Sequence, residues 1–252
     1  MAKYVIEDTT LNNTANAIRE KTGKTDKITP SNFATEIASI VSGGGSSIVT
    51  KGIVINEFDS DGYATDISVV GMTFIPKYYF YGGSKNTYNS VISKALKKIE
   101  LPEELTGIGD GAFTLCTNLS LDKLPNSLTE LGNNVFSECY LVAIKEIPSG
   151  ITAIPNSAFY KCNKITELTA YGDLTSIGSS SFGYINNFSK LVLPNVTGVP
   201  TITTTSFNST PIASGTGYIY VPDTLVDSFK SATNWSSYAD QIKGISELEV
   251  SS

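Results

Sequence analysis

Leu101-Pro102-Glu103-Glu104-Leu105-Thr106-Gly107-Ile108-Gly109-Asp110-Gly111-Ala112-Phe113-Thr114-Leu115-Cys116 decides the fold, because the same frame returns every 23 residues. Phe113, Phe136, Phe159 and Phe182 share that spacing, and Cys116, Cys139 and Cys162 follow the first three, with Ile185 in the fourth copy. Five residues before each phenylalanine stands Ile108, Leu131, Ile154 or Ile177. Three further back stands Leu105, Leu128, Ile151 or Leu174. Leu101-Pro102, Leu124-Pro125, Ile147-Pro148 and Leu193-Pro194 form another column, and Ile202 with Phe207 marks a fifth, degraded copy. A period in the twenties defines one supersecondary unit that cannot bury its apolar face alone and must stack on its neighbours.

Each copy reads as a short strand, a turn, a short strand and a loop carrying the Phe and Cys. Pro102, Gly109, Pro125, Gly132, Pro155 and Gly178 break the chain at coil corners, where turns are needed. Stacking sets Phe over Phe and Leu over Leu at roughly the 4.7–4.9 Å spacing of paired strands. The expectation is a mostly-β solenoid of about five coils over residues 96–215.

The flanks differ in character. Leu11, Thr14, Ala15, Ala17 and Ile18 recur at helical spacing before Gly23. Thr29-Pro30 opens a second helix with Phe33, Ile37 and Ile40 on one face. Residues 1–41 thus form a separate short helical module whose candidate attachment face is Leu11, Ile18, Phe33, Ile37 and Ile40. Ser42-Gly43-Gly44-Gly45-Ser46-Ser47 has linker composition. Residues 48–95 read as a β-rich N-terminal cap: a hairpin around Asp59-Ser60-Asp61-Gly62, then an edge strand in Phe74–Tyr81. Residues 216–252 read as a C-terminal strand-helix cap. In it Tyr218–Pro222 is a last strand, Asp223 starts a helix, a shorter helix runs through Tyr238, Ala239 and Ile242, and Trp235 is a plug over the last coil. The two N-terminal helices are too short to stand alone, and a trimeric bundle or docking into a symmetric ring would supply them a partner.

The net charge of −6 disfavours a nucleic-acid or anionic-membrane surface, and no apolar run approaches the roughly 18 residues of a membrane span. Met1–Glu7 lacks the apolar core of a secretory signal, so the expectation is a chain made and left in a cytoplasm, exported by a route other than a cleaved signal, or released by lysis. With no histidine, the Ser-His-Asp and Cys-His schemes and His-ligated zinc fall away. Glu103 and Glu104 read as solvated neighbours, and Asp59–Gly62 lacks the later ligands of a calcium loop, with Val70 where a bidentate Glu is required. No catalytic residue, metal ligand or cofactor site is expected. The cysteine column reads as buried free thiols, since in-register side chains point in parallel.

Tyrosine offers rigid amphipathic contact area. Tyr78, Tyr79 and Tyr81, with Tyr140, Tyr160 and Tyr184 near the repeat loops, are therefore the candidate recognition surface. Lys98, Glu100, Asp122, Lys123, Lys145, Glu146, Glu167 and Lys190 read as a mixed-charge, solubilising face.

The Leu-Pro-x-x-Leu-Thr-x-Ile-Gly-x-x-x-Phe-x-x-Cys frame resembles the BspA-type leucine-rich repeats of bacterial surface proteins over roughly Leu96 to Phe207. The closing Tyr218–Lys243 stretch is similar to the end of many such proteins. Ala17–Gly23 with Ile28–Ile37 resembles the N-terminal module of tail and baseplate proteins in phages and prophages of Gram-positive bacteria. The two resemblances together imply a virion component. Its N-terminal helices would dock to other virion proteins, and its leucine-rich-repeat solenoid would bind a bacterial surface polymer or protein for host recognition, or decorate the particle. A cell-surface adhesin binding host or matrix proteins is the alternative, and neither carries catalytic residues.

Overall fold

The computed structural model describes residues 4–6, 52–59, 64–82 and 95–248. The two expected helices, their attachment face (Leu11, Ile18, Phe33, Ile37, Ile40), the Gly/Ser linker and Ser60–Gly62 of the hairpin turn lie outside the described residues.

The chain opens with β1 (Tyr4–Ile6), β2 (Gly52–Phe58) and β3 (Ala64–Val70). β2 and β3 pair antiparallel, as the hairpin pattern predicts, with Ile53 opposite Val69. β1 adds to the free side of β2, Val5 opposite Val54. The opening segment is therefore not purely helical, and its first residues belong to the hairpin's sheet. A three-residue strand leaves no periodic signal, which is why the sequence pattern misses it.

Two-residue strands follow at the isoleucine column, β4 (Phe74–Ile75), β6 (Gly107–Ile108) and β7 (Glu130–Leu131), with the three-residue β5 (Lys98–Glu100) between β4 and β6 in the chain. β5 joins β3 in parallel, Ile67 beside Ile99. Beyond these come β8 (Glu146–Ile147), β9 (Ala153–Ile154), β10 (Glu167–Ala170), β11 (Ser176–Ile177), β12 (Lys190–Val192) and β13 (Thr201–Ile202). The last two strands are β14 (Tyr218–Val221) and β15 (Ile242–Gly244). Parallel pairing sets Ile75 beside Ile108 beside Leu131, and Ile154 beside Ile177 beside Ile202. The longer strands form a second parallel array in the order β15-β14-β12-β10-β8, with Leu168 beside Leu191 beside Ile219 beside Ile242.

β4 corrects the expectation of an edge strand in a cap. Ile75 pairs with Ile108, and the Phe80 ring stacks on Phe113 at 5.1 Å, so residues from about 73 are a coil of the stack. The boundary at residue 96 therefore falls inside the stack, and among the described residues the Phe ladder has six rungs, one more than the repeats read from the sequence. This coil lies 33 residues before its partner instead of 23, and the extra residues hide it from a search for strict spacing. The C-terminal cap also differs from its sequence reading. β14 is a strand of the large parallel sheet. Ile242 opens β15 instead of continuing a helix, and residues Trp235–Gln241 are 3-10 turns.

The core is a ladder. Phe80, Phe113, Phe136, Phe159, Phe182 and Phe207 stack with centroids 5.1–5.8 Å apart and planes within 15°. All six are fully buried. The Phe turns are also a backbone ladder, of opposite sense to the strands. At the strand, Gly132 N–H donates back to Ile108 C=O at 2.7 Å. At the turn, Phe113 N–H donates forward to Val135 C=O, and Phe136 N–H to Ala158 C=O, both at 2.9 Å. The chain thereby satisfies buried backbone groups without a long strand.

Side chains extend the ladder. The Cys116, Cys139 and Cys162 thiols are free and buried, and donate to the carbonyls of Phe80, Phe113 and Phe136 at 2.9, 2.9 and 3.0 Å. Burial pushes the Cys116 and Cys162 thiols well up from their usual range, so they stay protonated donors. Asp110, Asn133 and Asn156 each accept from the backbone N–H one coil on, at 2.8, 3.1 and 2.7 Å. At the far end Trp235 lies against Phe207, with Phe229 edge-on to it at 4.8 Å. Its indole N–H donates to Pro200 C=O at 2.6 Å, and Asn234 Nδ2 donates to Ile202 C=O at 2.7 Å. These two donors occupy one carbonyl of the last short strand and the one just before it.

Candidate recognition surface

Two turns per coil place residues at positive φ, where the chain reverses tightly. One column holds Tyr78, Gly111, Asn134, Ser157 and Ser180, and the other holds Leu115, Glu138, Lys161, Tyr184 and Ser209. The second column brings three of the six sequence-predicted tyrosines into one patch. Tyr140 O–H donates to Glu138 Oε2 at 2.9 Å, and Lys161 Nζ lies 3.5 Å from the same oxygen. Lys161 also sits 5.0 Å from the centre of the Tyr160 ring, which meets Tyr184 edge-on at 5.4 Å. The chain Tyr140–Glu138–Lys161–Tyr160–Tyr184 thus crosses three successive coils. The hydrogen bond to the Glu138 carboxylate holds the Tyr140 phenol above its usual pKa, keeping it a neutral donor.

The other three predicted tyrosines separate from that patch. Tyr78 is exposed, with Lys77 5.0 Å from its ring centre and Tyr81 edge-on at 5.6 Å. A Cβ on Gly111 would strike the Tyr78 ring, so the glycine lets that ring lie over the next coil. Tyr79 is half-buried against the core, edge-on to Phe80 at 4.9 Å.

The fold also presents a second tyrosine-bearing face. On the large parallel sheet, Tyr171 O–H reaches Glu146 at 3.4 Å, and Lys243 lies 4.3 Å from the Tyr218 ring centre, beside Tyr220. Glu167 bridges Lys190 at 2.6 Å and Lys145 at 3.8 Å, and the Lys190 hydrogen bond holds its carboxyl below the usual range. The signal was present as alternation in Glu167-Leu168-Thr169-Ala170-Tyr171, with inward Leu168 and Ala170 buried. Its mixed charges pair across coils, which the sequence along one strand does not show.

A cavity of about 450 Å³ lies between β3 and the Pro102 turn, with Glu100, Glu103 and Glu104 in its wall and Ser68 donating to Glu100 at 2.8 Å. Glu103 and Glu104 are exposed, as their solvated reading requires. Among the described residues no group of three or more acidic, cysteine or histidine side chains is placed to hold a metal ion. No helix among them is long and apolar enough to cross a membrane.

With ladder and turns in view, the class is defined: a leucine-rich-repeat stack. The model of the "BspA type Leucine rich repeat region" matches residues 73–213 in six copies, and the chain belongs to that family. Its first copy takes in the β4 coil. Among solved structures the chain is similar to a leucine rich repeat protein of T. pallidum, at 19% identity and TM-score 0.43 over 71% of each chain. It is also similar to a leucine rich cell surface protein of Faecalibacterium prausnitzii, at 18% identity and TM-score 0.40, over 81% of this chain and 55% of that one. No curated protein matches the chain.

Proposed function

We propose that the chain is a non-catalytic binding module displayed on a phage or prophage particle as a tail, baseplate or decoration protein. Its repeats face a bacterial surface polymer or protein, and its opening segment docks to other virion proteins. The observation that carries the binding half is the Tyr140–Glu138–Lys161–Tyr160–Tyr184 chain of contacts across three coils, which fixes exposed aromatic area on a rigid stack. The resemblance of Ala17–Ile37 to tail and baseplate modules supports the particle half. The lack of any histidine supports a module without nucleophilic or zinc chemistry.

Family membership favours a second reading with equal weight: a BspA-like adhesin on the bacterial surface, holding host or matrix proteins and belonging to no particle. Mass spectrometry of purified particles and of cell-envelope fractions, with antibody labelling of the repeats, separates the two. Stoichiometric copies on particles are expected for the virion protein. Recovery from envelopes alone selects the adhesin.

A further inference from the structure

The two positive-φ columns impose the same backbone demand but are filled differently. In the first, Gly111, Asn134, Ser157 and Ser180 are small, and Tyr78 is seated over Gly111. In the second, Leu115, Glu138, Lys161 and Tyr184 are large, at φ of 63°, 60°, 59° and 58°, and only Ser209 at its end is small. Glycine takes this conformation freely and bulky residues do not, so strain of this kind is kept where a side chain has a task at the surface. Tyr184, 44% exposed, is the extreme case.

The chemistry of these side chains narrows the partner. Glu138 and Lys161 neutralise each other at 3.5 Å, so the patch offers an ionic ligand no unpaired charge. Phenol, carboxylate and ammonium groups supply donors and acceptors beside aromatic rings, while Leu141 adds a single exposed aliphatic side chain beside Tyr140. Successive coils advance the surface by 5.8 Å at the Phe136–Phe159 and Phe159–Phe182 rungs, comparable with the length of one sugar unit in an extended chain.

Resting on the binding role proposed above, we infer that Glu138, Tyr140, Tyr160, Lys161 and Tyr184 form a subsite for an uncharged polysaccharide, whose sugar rings stack on the tyrosines along the coil axis. The test is binding of the labelled full chain to a panel of Gram-positive cells, either untreated, protease-treated or oxidised with periodate. Tyr184→Gly, which removes the ring and relieves the backbone, and Tyr140→Phe, which removes the phenol donor, are measured alongside. Binding that survives protease, is lost after periodate, and weakens at least tenfold in Tyr184→Gly without a lower Tm is the expected result. Binding lost to protease but not to periodate overturns the glycan while leaving the binding role intact. Unchanged binding in both variants overturns the subsite, and no binding to any cell overturns both the subsite and the role.

Discussion

Gly111 and Leu115 stand four residues apart at nearly the same φ, 60° and 63°, yet the stack asks different things of them. A Cβ at 111 would strike the Tyr78 ring, so Gly111→Ala should destabilise by about 1–2 kcal/mol or more, the cost of the left-handed backbone alone. Leu115→Gly should fall within about 1 kcal/mol of neutral, because relief of that strain offsets the roughly 0.5–1 kcal/mol entropic cost of a glycine. Denaturant midpoints of the two variants check the contrast. The thiol column makes a second residue-scale prediction. Cys139→Ala removes one of the two donors to the Phe113 carbonyl, which keeps the Cys116 N–H at 3.0 Å, and should cost about 0.5–1.5 kcal/mol, the net worth of one hydrogen bond. Native thiols should resist alkylation until the chain unfolds. A third concerns acid. The backbone N–H of Asn133 lowers the Asp110 pKa, that of Thr197 lowers Asp173, and Lys190 lowers Glu167. Carboxylates lowered in the folded state add stability that is complete above their unfolded pKa, near about 4, and lost as pH falls through the folded value. Tm should therefore drop on acidification below about pH 4, and less steeply in Asp110→Asn, which keeps an acceptor for the Asn133 N–H.

At the scale of the element, the Phe turn and its end cap carry the packing. Phe159 is buried between Phe136 and Phe182, each at 5.8 Å, so Phe159→Ala should cost about 3–5 kcal/mol by thermal or urea unfolding. Trp235→Phe keeps most of the plug but strips the donor from Pro200 C=O. It should lose about 1–3 kcal/mol and gain a tendency to self-associate on size-exclusion chromatography, because a terminal strand is then less well covered. What was legible at this scale follows from what repeats. Ile108, Phe113 and Cys116 return at fixed spacing, and that spacing is enough to read the stack and its buried columns. The β4 coil was not legible because its separation from the next coil is 33 residues, although Ile75 keeps the five-residue step to Phe80. β1 and β15 are three residues each, too short for alternation to separate them from a turn. Of the tyrosines, Tyr140, Tyr160 and Tyr184 were marked by their place near the repeat loops. A run of neighbouring aromatics does not say which ring turns inward, and here Tyr79 packs against the core. Tyr171 and Tyr218 escaped because their partners lie one coil away.

Across the whole molecule, the opening segment and the repeats are joined through β1, which covers the free side of β2. Removal of residues 1–41 should leave the repeat core folded, since its Phe ladder and its capping Trp235 all lie beyond residue 79. It also uncovers the β2 edge, so self-association of this variant is expected where a purely helical module would have left a monomer. Recognition belongs to the same scale, because the proposed surface exists only where three coils stack. Hydrogen exchange of the full chain, with and without bacterial cell-wall fragments, tests that claim most directly. The account predicts slowed exchange at the turns bearing Glu138–Tyr140, Tyr160–Lys161 and Tyr184. Slowed exchange confined to Glu167–Tyr171 and Tyr218–Val221, with the turns unaffected, would contradict it and move the contact to the parallel sheet.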